Sequence, residues 1–163
     1  MNSIKALALD IDGVLTDGCV WWGPAGEEWR RFSFRDIMAV SLACKSGLRV
    51  ALITGESPPQ ADQFAKKFGL EHVYKGCKDK TVALRHFADS CGFALEELAF
   101  MGDDINDVPA MELCGLPAAP ADAHDAAKAV ARLVTTRKGG RGAVRELVDH
   151  LLPSHLCRSR SYP

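Results

Sequence analysis

The chain has 163 residues, a length typical of one domain, and its 20 basic and 21 acidic residues leave a formal net charge of −1. This balance excludes a strongly basic nucleic-acid-binding protein, and a hydrophobic content of 47% excludes a disordered chain. No apolar run is as long as a membrane span, and acidic residues occur too early for a signal peptide. We therefore expect a cytoplasmic protein with free cysteines and with no nucleic-acid or membrane partner.

The first third of the chain predicts a buried strand, a hairpin and a helix. Residues 4–10 are apolar and end on an acid, as expected for a buried strand. Residues 18–34 have turn-forming residues at 23–26 between two aromatic-rich arms, which predicts a hairpin. Asp36 is the expected N-cap of the next helix, which reaches Cys44.

The middle of the chain continues the alternation of strands and helices. Residues 48–53 predict a second buried strand, and Ser57 is expected to cap a helix whose first residue is Pro58. Apolar residues recur at helical spacing over residues 61–68 and again over residues 84–91.

The remaining elements are shorter. Residues 72–75 and 98–102 predict a third and a fourth strand, and residues 107–114 predict a short helix. Two further strand candidates, LPAAP and ARLV, lie on either side of an Ala-rich helical segment. Residues 144–151 predict a last amphipathic helix.

Apolar strands therefore alternate with amphipathic helices along the chain. Strands that are apolar on both faces are typical of a parallel sheet covered by helices on each side. The sequence predicts an α/β fold, a Rossmann-like parallel sheet sandwiched by helices. We expect one domain over residues 1–153, with the hairpin as a small insertion and residues 154–163 as a C-terminal tail.

Polar residues collect where the predicted strands end. In open parallel sheets, ligands bind outside the carboxyl ends of the strands. The candidates there are Asp10 and Asp12 after the first strand, Thr54, Gly55 and Glu56 after the second, Lys75, Lys78 and Lys80 after the third, and Asp103, Asp104, Asn106 and Asp107 after the fourth. Carboxylate oxygens suit Mg²⁺, hydroxyl and amine donors suit phosphoryl oxygens, and an Asp can form an aspartyl-phosphate intermediate. This combination favours phosphoryl transfer.

Each motif alone has an ordinary structural explanation. An isolated DxD is usually solvated or caps a helix, and GDDxND can be a turn followed by a helix cap. The ordered appearance of both motifs at strand ends is far more specific than either one.

The chain resembles the haloacid dehalogenase-like superfamily of phosphohydrolases over nearly its whole length. The motifs are DIDGVLTDG (Asp10–Gly18), LITG (Leu52–Gly55), Lys80 and GDDIND (Gly102–Asp107). The hairpin, the Arg-Asp pair after it and the GGRGAVREL segment (Gly139–Leu147) are similar to the small capless branch. That branch contains 3-deoxy-D-manno-octulosonate (KDO) 8-phosphate phosphatases, nonulosonate 9-phosphate phosphatases and the phosphatase-like domains of acylneuraminate cytidylyltransferases.

The resemblance implies a Mg²⁺-dependent phosphomonoester hydrolase and a role for each carboxylate. Asp10 would be the nucleophile and a Mg²⁺ ligand, and Asp12 would be the general acid/base whose backbone carbonyl also binds the metal. Asp103 would complete the protein ligands, and Asp107 would support them from the second coordination shell. The remaining polar residues of GDDIND, Asp104 and Asn106, would stabilise the loop.

The resemblance also assigns the phosphate ligands. Thr54, Gly55 and Lys80 would hold the phosphate group. The last Lys of the GCKDK segment matches the family motif, so Lys80 is chosen over Lys78, which is expected to be a solvated surface residue.

Three further residues are candidates for substrate specificity. Glu56 follows the Thr-Gly pair, where KDO 8-phosphate phosphatases tend to carry Arg, and with Lys67 it resembles members that act on nine-carbon acids. Arg141 could reach a sugar carboxylate, since Arg binds carboxylates through two hydrogen bonds. Lys67 and Arg141 could equally be ordinary surface residues. The implied substrate is a 3-deoxy-2-keto sugar acid phosphate, either KDO 8-phosphate or KDN/N-acylneuraminate 9-phosphate.

Capless relatives cover the site with the hairpin and the C-terminal segment of a neighbouring subunit, so we expect a homotetramer. The three Trp residues of the hairpin would pack on a partner or would instead fold back on their own sheet. Two non-enzymatic interpretations compete with a phosphatase: an assembly domain of the acylneuraminate cytidylyltransferase type and a receiver-like domain. The enzyme is favoured because the motif residues are all present, namely Asp10, Asp12, Thr54, Lys80 and Asp103.

Overall fold

A computed structural model describes residues 3–152 and contains a six-stranded parallel sheet with helices on both faces. Within this range the strands are β1 (Ala6–Leu9), β2 (Trp21–Trp22), β3 (Glu28–Trp29), β4 (Arg49–Ile53), β5 (His72–Tyr74), β6 (Leu98–Met101), β7 (Leu116–Ala119) and β8 (Leu133–Val134). The α-helices are α1 (Phe34–Lys45), α2 (Pro59–Phe68), α3 (Lys80–Cys91), α4 (Val108–Met111), α5 (Asp125–Val130) and α6 (Ala143–Leu151). The predicted fold class is confirmed.

The central strand of the sheet is β1, and the strand order is β5-β4-β1-β6-β7-β8. Its last residue, Leu9, lies in register with Leu52 of β4 and with Met101 of β6. The carboxyl ends of these three strands are therefore level, and the residues that follow them meet at one edge.

Residues of β1 alternate between two apolar layers, because successive side chains point to opposite faces of a sheet. Leu7 and Leu9 belong to the layer that includes α1 and α6, whereas Ala6 and Ala8 belong to the layer that includes α3, α4 and α5. All four residues are fully buried. The strand is thus covered on both faces.

The predicted N-cap of α1 is wrong. Ser33 is the N-cap, and its side chain accepts a hydrogen bond from the backbone N–H of Arg35. Asp36 lies buried in the first turn of α1, where its carboxylate accepts hydrogen bonds from the backbone N–H groups of Gly142 (2.9 Å) and Arg145 (3.0 Å). Asp36 therefore caps the N-terminus of α6, and this contact forms only when α1 and α6 pack together.

The predicted start of α2 is also wrong by one residue. Pro58 is the N-cap with an extended backbone (φ −70°, ψ 137°), and the helix begins at Pro59. A proline disfavours the helical conformation of the residue before it, so Pro59 keeps Pro58 out of the helix. Ser57 is consequently not the cap.

The helix predicted over residues 107–114 is shorter in the structure. A 3₁₀ turn, Ile105–Asp107, comes first, and α4 ends at Met111. Asp104 caps the turn by accepting a hydrogen bond from the Ile105 backbone N–H at 2.7 Å. The carboxylate of Asp107 accepts hydrogen bonds from the backbone of the preceding loop and so holds that loop in place.

The predicted hairpin is present, with a short paired region. In the antiparallel pair of β2 and β3, Trp21 lies opposite Trp29 and Trp22 lies opposite Glu28. Trp21, Trp22 and Trp29 are 69%, 76% and 62% exposed. The possibility that these rings fold back onto their own sheet is therefore wrong.

Within the described residues, none of the helices combines the length and the apolar character needed to cross a membrane. The cysteines in this range are free thiols: Cys19, Cys44, Cys77, Cys91 and Cys114. Cys157 and the tail predicted over residues 154–163 lie outside the described residues.

Candidate active site

A small open cavity of about 180 Å³ lies at the carboxyl edge of the sheet. Its lining combines residues that follow β1, β4 and β6 with the first residue of α3. These lining residues are Asp10, Asp12, Thr54, Gly55, Glu56, Lys80, Asp103, Asp104 and Asn106. The topology explains the convergence, because β4 and β6 flank β1 on either side.

Lys80 is the buried cation of this site. It begins α3, whose N-cap Asp79 accepts a hydrogen bond from the backbone N–H of Thr81. Its Nζ lies 2.9 Å from Asp10 Oδ1 and 2.5 Å from Asp107 Oδ1, and its side chain is 1% exposed. Burial opposes the charge, but the carboxylates of Asp10 and Asp107 prevail and raise the pKa of Lys80, so the amine stays protonated.

Asp107 organises the loop after β6. Its Oδ2 accepts hydrogen bonds from the backbone N–H groups of Asp103 (2.9 Å) and Asp104 (3.1 Å), while its Oδ1 accepts one from Lys80. Gly102 leaves room for this arrangement, since a side chain there would collide with Asp107. Both carboxylate oxygens are thus engaged within the protein, which favours the predicted supporting role.

Three carboxylates crowd together in the site, where Asp10, Asp103 and Asp107 have oxygens within 4.8 Å of one another. Burial raises the pKa of Asp10 to about 7, since the attraction of Lys80 is smaller and Asp107 adds repulsion. Burial and the charges of Asp10 and Asp107 raise the pKa of Asp103 to about 8. Repulsion of this kind is what a bound cation relieves.

The donor set fits Mg²⁺. The buried Asp10 Oδ1 lies close to Lys80 but receives no hydrogen bond of good geometry from any described residue. A hard divalent cation prefers carboxylate oxygens and would both use this oxygen and neutralise the neighbouring acids. Asp10 and Asp103 are the side chains best placed to hold it, because the oxygens of Asp107 are already engaged.

Gly13 allows the loops after β1 and β6 to touch. Its φ of +88° lies in the left-handed region, and a side chain there would overlap the carboxylate of Asp103. The late glycine-rich segment packs on the same loop, since Gly140 donates its backbone N–H to the Val14 carbonyl at 2.9 Å. Gly139 lies against the Gly13 carbonyl with no room for a side chain.

Asp12 also lines the cavity, but its carboxylate is paired outside the acidic cluster. The Nε of Arg30 donates a hydrogen bond to Asp12 Oδ1 at 2.7 Å. Arg30 follows β3, so this bond joins the hairpin to the first motif. No pattern in the sequence indicates this role for Arg30, because its 18-residue separation from Asp12 follows no local periodicity.

The loop after β4 supplies the opposite wall. Thr54 is buried, and its Oγ1 accepts a hydrogen bond from the Glu56 backbone N–H at 3.2 Å. The Nζ of Lys78 lies 3.1 Å from Glu56 Oε1 and donates to the Gly55 carbonyl at 3.1 Å. Lys78 is 80% exposed, as expected for a surface residue, but it neutralises Glu56 at the mouth of the cavity.

Known proteins are similar to this chain in sequence. A family model described as haloacid dehalogenase-like hydrolase matches residues 70–147. The 3-deoxy-D-manno-octulosonate 8-phosphate phosphatase of Escherichia coli (strain K12) is 41% identical over 151 residues, which are 93% of this chain and 80% of that protein. The chain belongs to the haloacid dehalogenase-like family.

Solved structures of haloacid dehalogenase-like phosphatases superpose closely on this fold. The KDO 8-phosphate phosphatase of Yersinia pestis has a TM-score of 0.90 at 39% identity, covering 92% of this chain and 81% of that one. The enzyme of Moraxella catarrhalis, solved with a magnesium ion, a phosphate ion and KDO, has a TM-score of 0.89 at 34% identity, covering 92% and 86%. The predicted membership in this superfamily and branch is confirmed.

Two predicted specificity residues of this haloacid dehalogenase-like protein are exposed side chains outside the cavity lining. Lys67 is exposed near the end of α2, and Arg141 is exposed before α6. Neither lines the cavity, whereas Glu56 does. The roles assigned to Lys67 and Arg141 stay predictions.

Asp104 and Asn106 line the cavity, although the sequence predicted for them only a role in loop stability. Asp104 also caps the 3₁₀ turn, so it both stabilises the loop and lines the cavity. The signal that could have found them is their place in GDDIND, directly after a strand of the parallel sheet.

A larger groove of about 640 Å³ lies at the opposite edge of the sheet, lined by Glu96, Leu116, Arg132 and His150 among others. Among the described residues, the group of acids able to hold a metal lies at the carboxyl edge and not in this groove. The carboxyl edge is therefore the candidate active site of this family member.

Proposed function

We propose that this chain is a Mg²⁺-dependent phosphatase that hydrolyses the phosphate ester of a 3-deoxy-2-keto sugar acid, either KDO 8-phosphate or KDN/N-acylneuraminate 9-phosphate. The observation that carries the proposal is the buried carboxylate of Asp10, whose Oδ1 receives no hydrogen bond of good geometry from the described residues, with a protonated Lys80 beside it and the acid of Asp103 nearby. The names of the similar bacterial enzymes and the ligands of the Moraxella catarrhalis structure support the same substrate class.

The metal would be held by the Asp10 and Asp103 side chains and by the backbone carbonyl of Asp12. When bound, Mg²⁺ offsets the repulsion between a carboxylate nucleophile and an anionic phosphate. Asp107 would hold the Asp103 loop and the Lys80 amine in place, because its two oxygens bind both.

The reaction then has two chemical steps. Asp10 attacks phosphorus and the ester P–O bond breaks, which leaves an aspartyl-phosphate on Asp10. Asp12 gives its proton to the departing alkoxide. In the second step Asp12 takes a proton from water, whose oxygen bonds to phosphorus as the O–P bond to Asp10 breaks, which releases phosphate and restores the Asp10 carboxylate. The donors of Thr54, Gly55 and Lys80 would bind the phosphoryl oxygens, where the transition-state charge develops.

The test is phosphate release from KDO 8-phosphate, KDN 9-phosphate, N-acetylneuraminate 9-phosphate and glucose 6-phosphate. We expect the sugar acid phosphates to have the higher kcat/KM, and equal rates on glucose 6-phosphate would contradict the substrate class. Chelation should stop turnover and added Mg²⁺ should restore it. Asp10→Asn should abolish activity, while Asp89→Asn, an exposed position on α3, should leave it unchanged.

We also propose that the active form is a cytoplasmic homotetramer. Three exposed Trp side chains on one short hairpin are an unusual apolar surface for an isolated subunit. A two-stranded ribbon is rarely stable by itself, so a neighbouring subunit that packs on it would also stabilise it. The free cysteines in the described residues are consistent with a reducing compartment.

A further inference from the structure

Arg30 has an environment that is unusual for a residue of an exposed hairpin. Its side chain is 4% exposed, whereas the neighbouring Trp29 is 62% exposed. Its Nε lies 2.7 Å from Asp12 Oδ1, and its Nη1 lies 3.0 Å from Glu28 Oε2. The guanidinium therefore bridges a hairpin carboxylate and a carboxylate of the active site.

Glu28 is itself held from two sides. Its Oε1 accepts a hydrogen bond from Trp22 Nε1 at 2.9 Å, and its backbone carbonyl accepts one from Gln60 Nε2 of α2 at 2.8 Å. A chain of hydrogen bonds thus runs from the hairpin through Glu28 and Arg30 to Asp12. Burial opposes the charge of Arg30, but its hydrogen bonds to Asp12 and Glu28 raise its pKa and keep it protonated.

Arg30 does not line the cavity, whereas Asp12 does. Its Nε and Nη1 are already engaged by carboxylates of its own chain, so the structure does not present it as a ligand for the substrate. The bond to Asp12 uses Oδ1 and leaves Oδ2 to carry and deliver a proton. A single anchored oxygen restricts the rotation of a carboxylate that is otherwise 29% exposed.

We propose that Arg30 is a positioning residue, which holds the Asp12 carboxylate in the orientation needed for proton transfer to the leaving group. The inference rests on the proposed phosphatase function and adds a residue outside the four sequence motifs. In the step concerned, the bond from Asp10 to phosphorus forms, the ester P–O bond breaks and the proton of Asp12 passes to the departing alkoxide. Arg30 takes no part in that electron flow.

Leaving-group dependence distinguishes this role from a structural one. An alkyl phosphate needs a proton from Asp12 as its alkoxide departs, whereas p-nitrophenyl phosphate releases a stable phenolate that needs none. The value of kcat/KM reports only steps up to the first irreversible one, so the later activation of water does not enter it. A loss of positioning should therefore reduce kcat/KM for alkyl esters selectively.

The experiment compares Arg30→Gln, Arg30→Lys, Asp12→Asn and wild type on KDO 8-phosphate, glycerol phosphate and p-nitrophenyl phosphate with saturating Mg²⁺. We expect Arg30→Gln to lower kcat/KM for both alkyl esters by about 10-fold or more and for the aryl ester by less than about 3-fold. Asp12→Asn should show the same pattern more strongly. Arg30→Lys should recover part of the loss, because an amine can still donate to one carboxylate.

Arg31→Gln is the matched control, because Arg31 is the adjacent Arg but pairs with Asp17 at 2.6 Å on the surface. It should leave both classes of substrate within about 2-fold of wild type. An equal loss of Arg30→Gln and Arg30→Lys on alkyl and aryl esters would overturn the inference in favour of a structural role. A loss confined to the sugar acid, with a raised KM, would assign Arg30 to substrate binding instead. No turnover by wild type on any ester would overturn the proposed function, and the inference with it.

Discussion

The electrostatic balance of the site depends on a single buried amine. Lys80 lies between Asp10 and Asp107, and all three side chains are at most 7% exposed. In such a place a charge is tolerated only when it is paired, because desolvation costs several kcal/mol per ion. Lys80 therefore has a structural role in addition to its proposed role as a phosphate ligand.

Lys80→Ala should abolish turnover and lower the free energy of unfolding of the metal-free protein by about 3 kcal/mol, because two buried carboxylates lose their counter-ion. Urea unfolding in the presence of a chelator measures this change. Lys78→Ala removes an exposed amine from the same segment and should change stability by less than about 0.5 kcal/mol. Equal stability of wild type and Lys80→Ala would contradict the expected role of the buried amine.

Glu56 is the specificity candidate that the structure brings to the cavity mouth, where Lys78 neutralises it. Glu56→Arg should shift the ratio of kcat/KM values toward KDO 8-phosphate over KDN 9-phosphate by roughly 10-fold, which is about 1.4 kcal/mol. The new Arg adds one cation and frees Lys78 as a second. Glu96→Arg makes the same charge change at the opposite edge and should leave the ratio unchanged. If Glu56→Arg also leaves it unchanged, Glu56 does not determine specificity.

At the scale of elements, acidic side chains fix the position of α6. Asp36 of α1 accepts hydrogen bonds from backbone N–H groups at the N-terminus of α6. Glu146 of α6 accepts hydrogen bonds from the segment after β8. The latter contacts are hydrogen bonds from the Thr136 backbone and hydroxyl and from the Arg137 backbone. Because Gly139 and Gly140 lie between these anchors, α6 also holds the glycine-rich segment against the loop that follows β1.

Glu146→Gln should change the pH dependence of stability. Desolvation alone would raise the pKa of Glu146, but the hydrogen bonds from Thr136 and Arg137 outweigh it and lower that pKa. A lowered folded-state pKa adds stability above the unfolded value, and this stability is lost as the pH falls through the folded value.

The stability gap between wild type and Glu146→Gln should therefore be about 1 kcal/mol near neutral pH, after allowance for solvent screening, and close in acid. Urea unfolding at a series of pH values measures the gap. Glu112→Gln, at an exposed position beyond α4, should show none. A gap that widens in acid would contradict the lowered pKa of Glu146.

At the scale of the whole molecule, the described residues combine an open cavity at the carboxyl edge of the sheet with an exposed aromatic hairpin. The cavity of about 180 Å³ has no cap domain above it within the described residues. The hairpin is linked to that cavity through Arg30 and Asp12, so a partner that orders the hairpin would also act on the proposed acid/base. The proposed assembly and the proposed catalysis would therefore share one set of contacts.

Replacing Trp21, Trp22 and Trp29 together by Ser should convert the proposed tetramer into smaller species, because the exposed apolar surface is lost. Light scattering coupled to gel filtration measures the mass, which for wild type should be about four times the 17.7 kDa of the chain. Val82→Ser removes another exposed apolar side chain, 65% exposed on α3, and should leave the mass unchanged. A monomeric wild type would contradict the proposal.

Much of the site was predictable because the residues that follow parallel strands all lie at the carboxyl edge of the sheet. Asp10, Thr54, Lys80 and Asp103 all line the cavity, as that rule requires. The same rule gave no role to Arg30, which reaches Asp12 from a hairpin outside the parallel sheet. The rule also makes no prediction for Lys67 and Arg141, because their proposed role in substrate specificity came from the family resemblance and not from topology.

The sequence by itself determined the α/β fold, the family and the edge at which the motif residues meet. It did so because the spacing of apolar residues reflects local backbone geometry, and because the residues that follow parallel strands lie at one edge of the sheet. Only the tertiary structure decided that Asp36 caps α6 from 106 residues away and that Arg30 holds Asp12. These contacts join side chains whose proximity depends on how whole elements pack, and no local spacing encodes that packing.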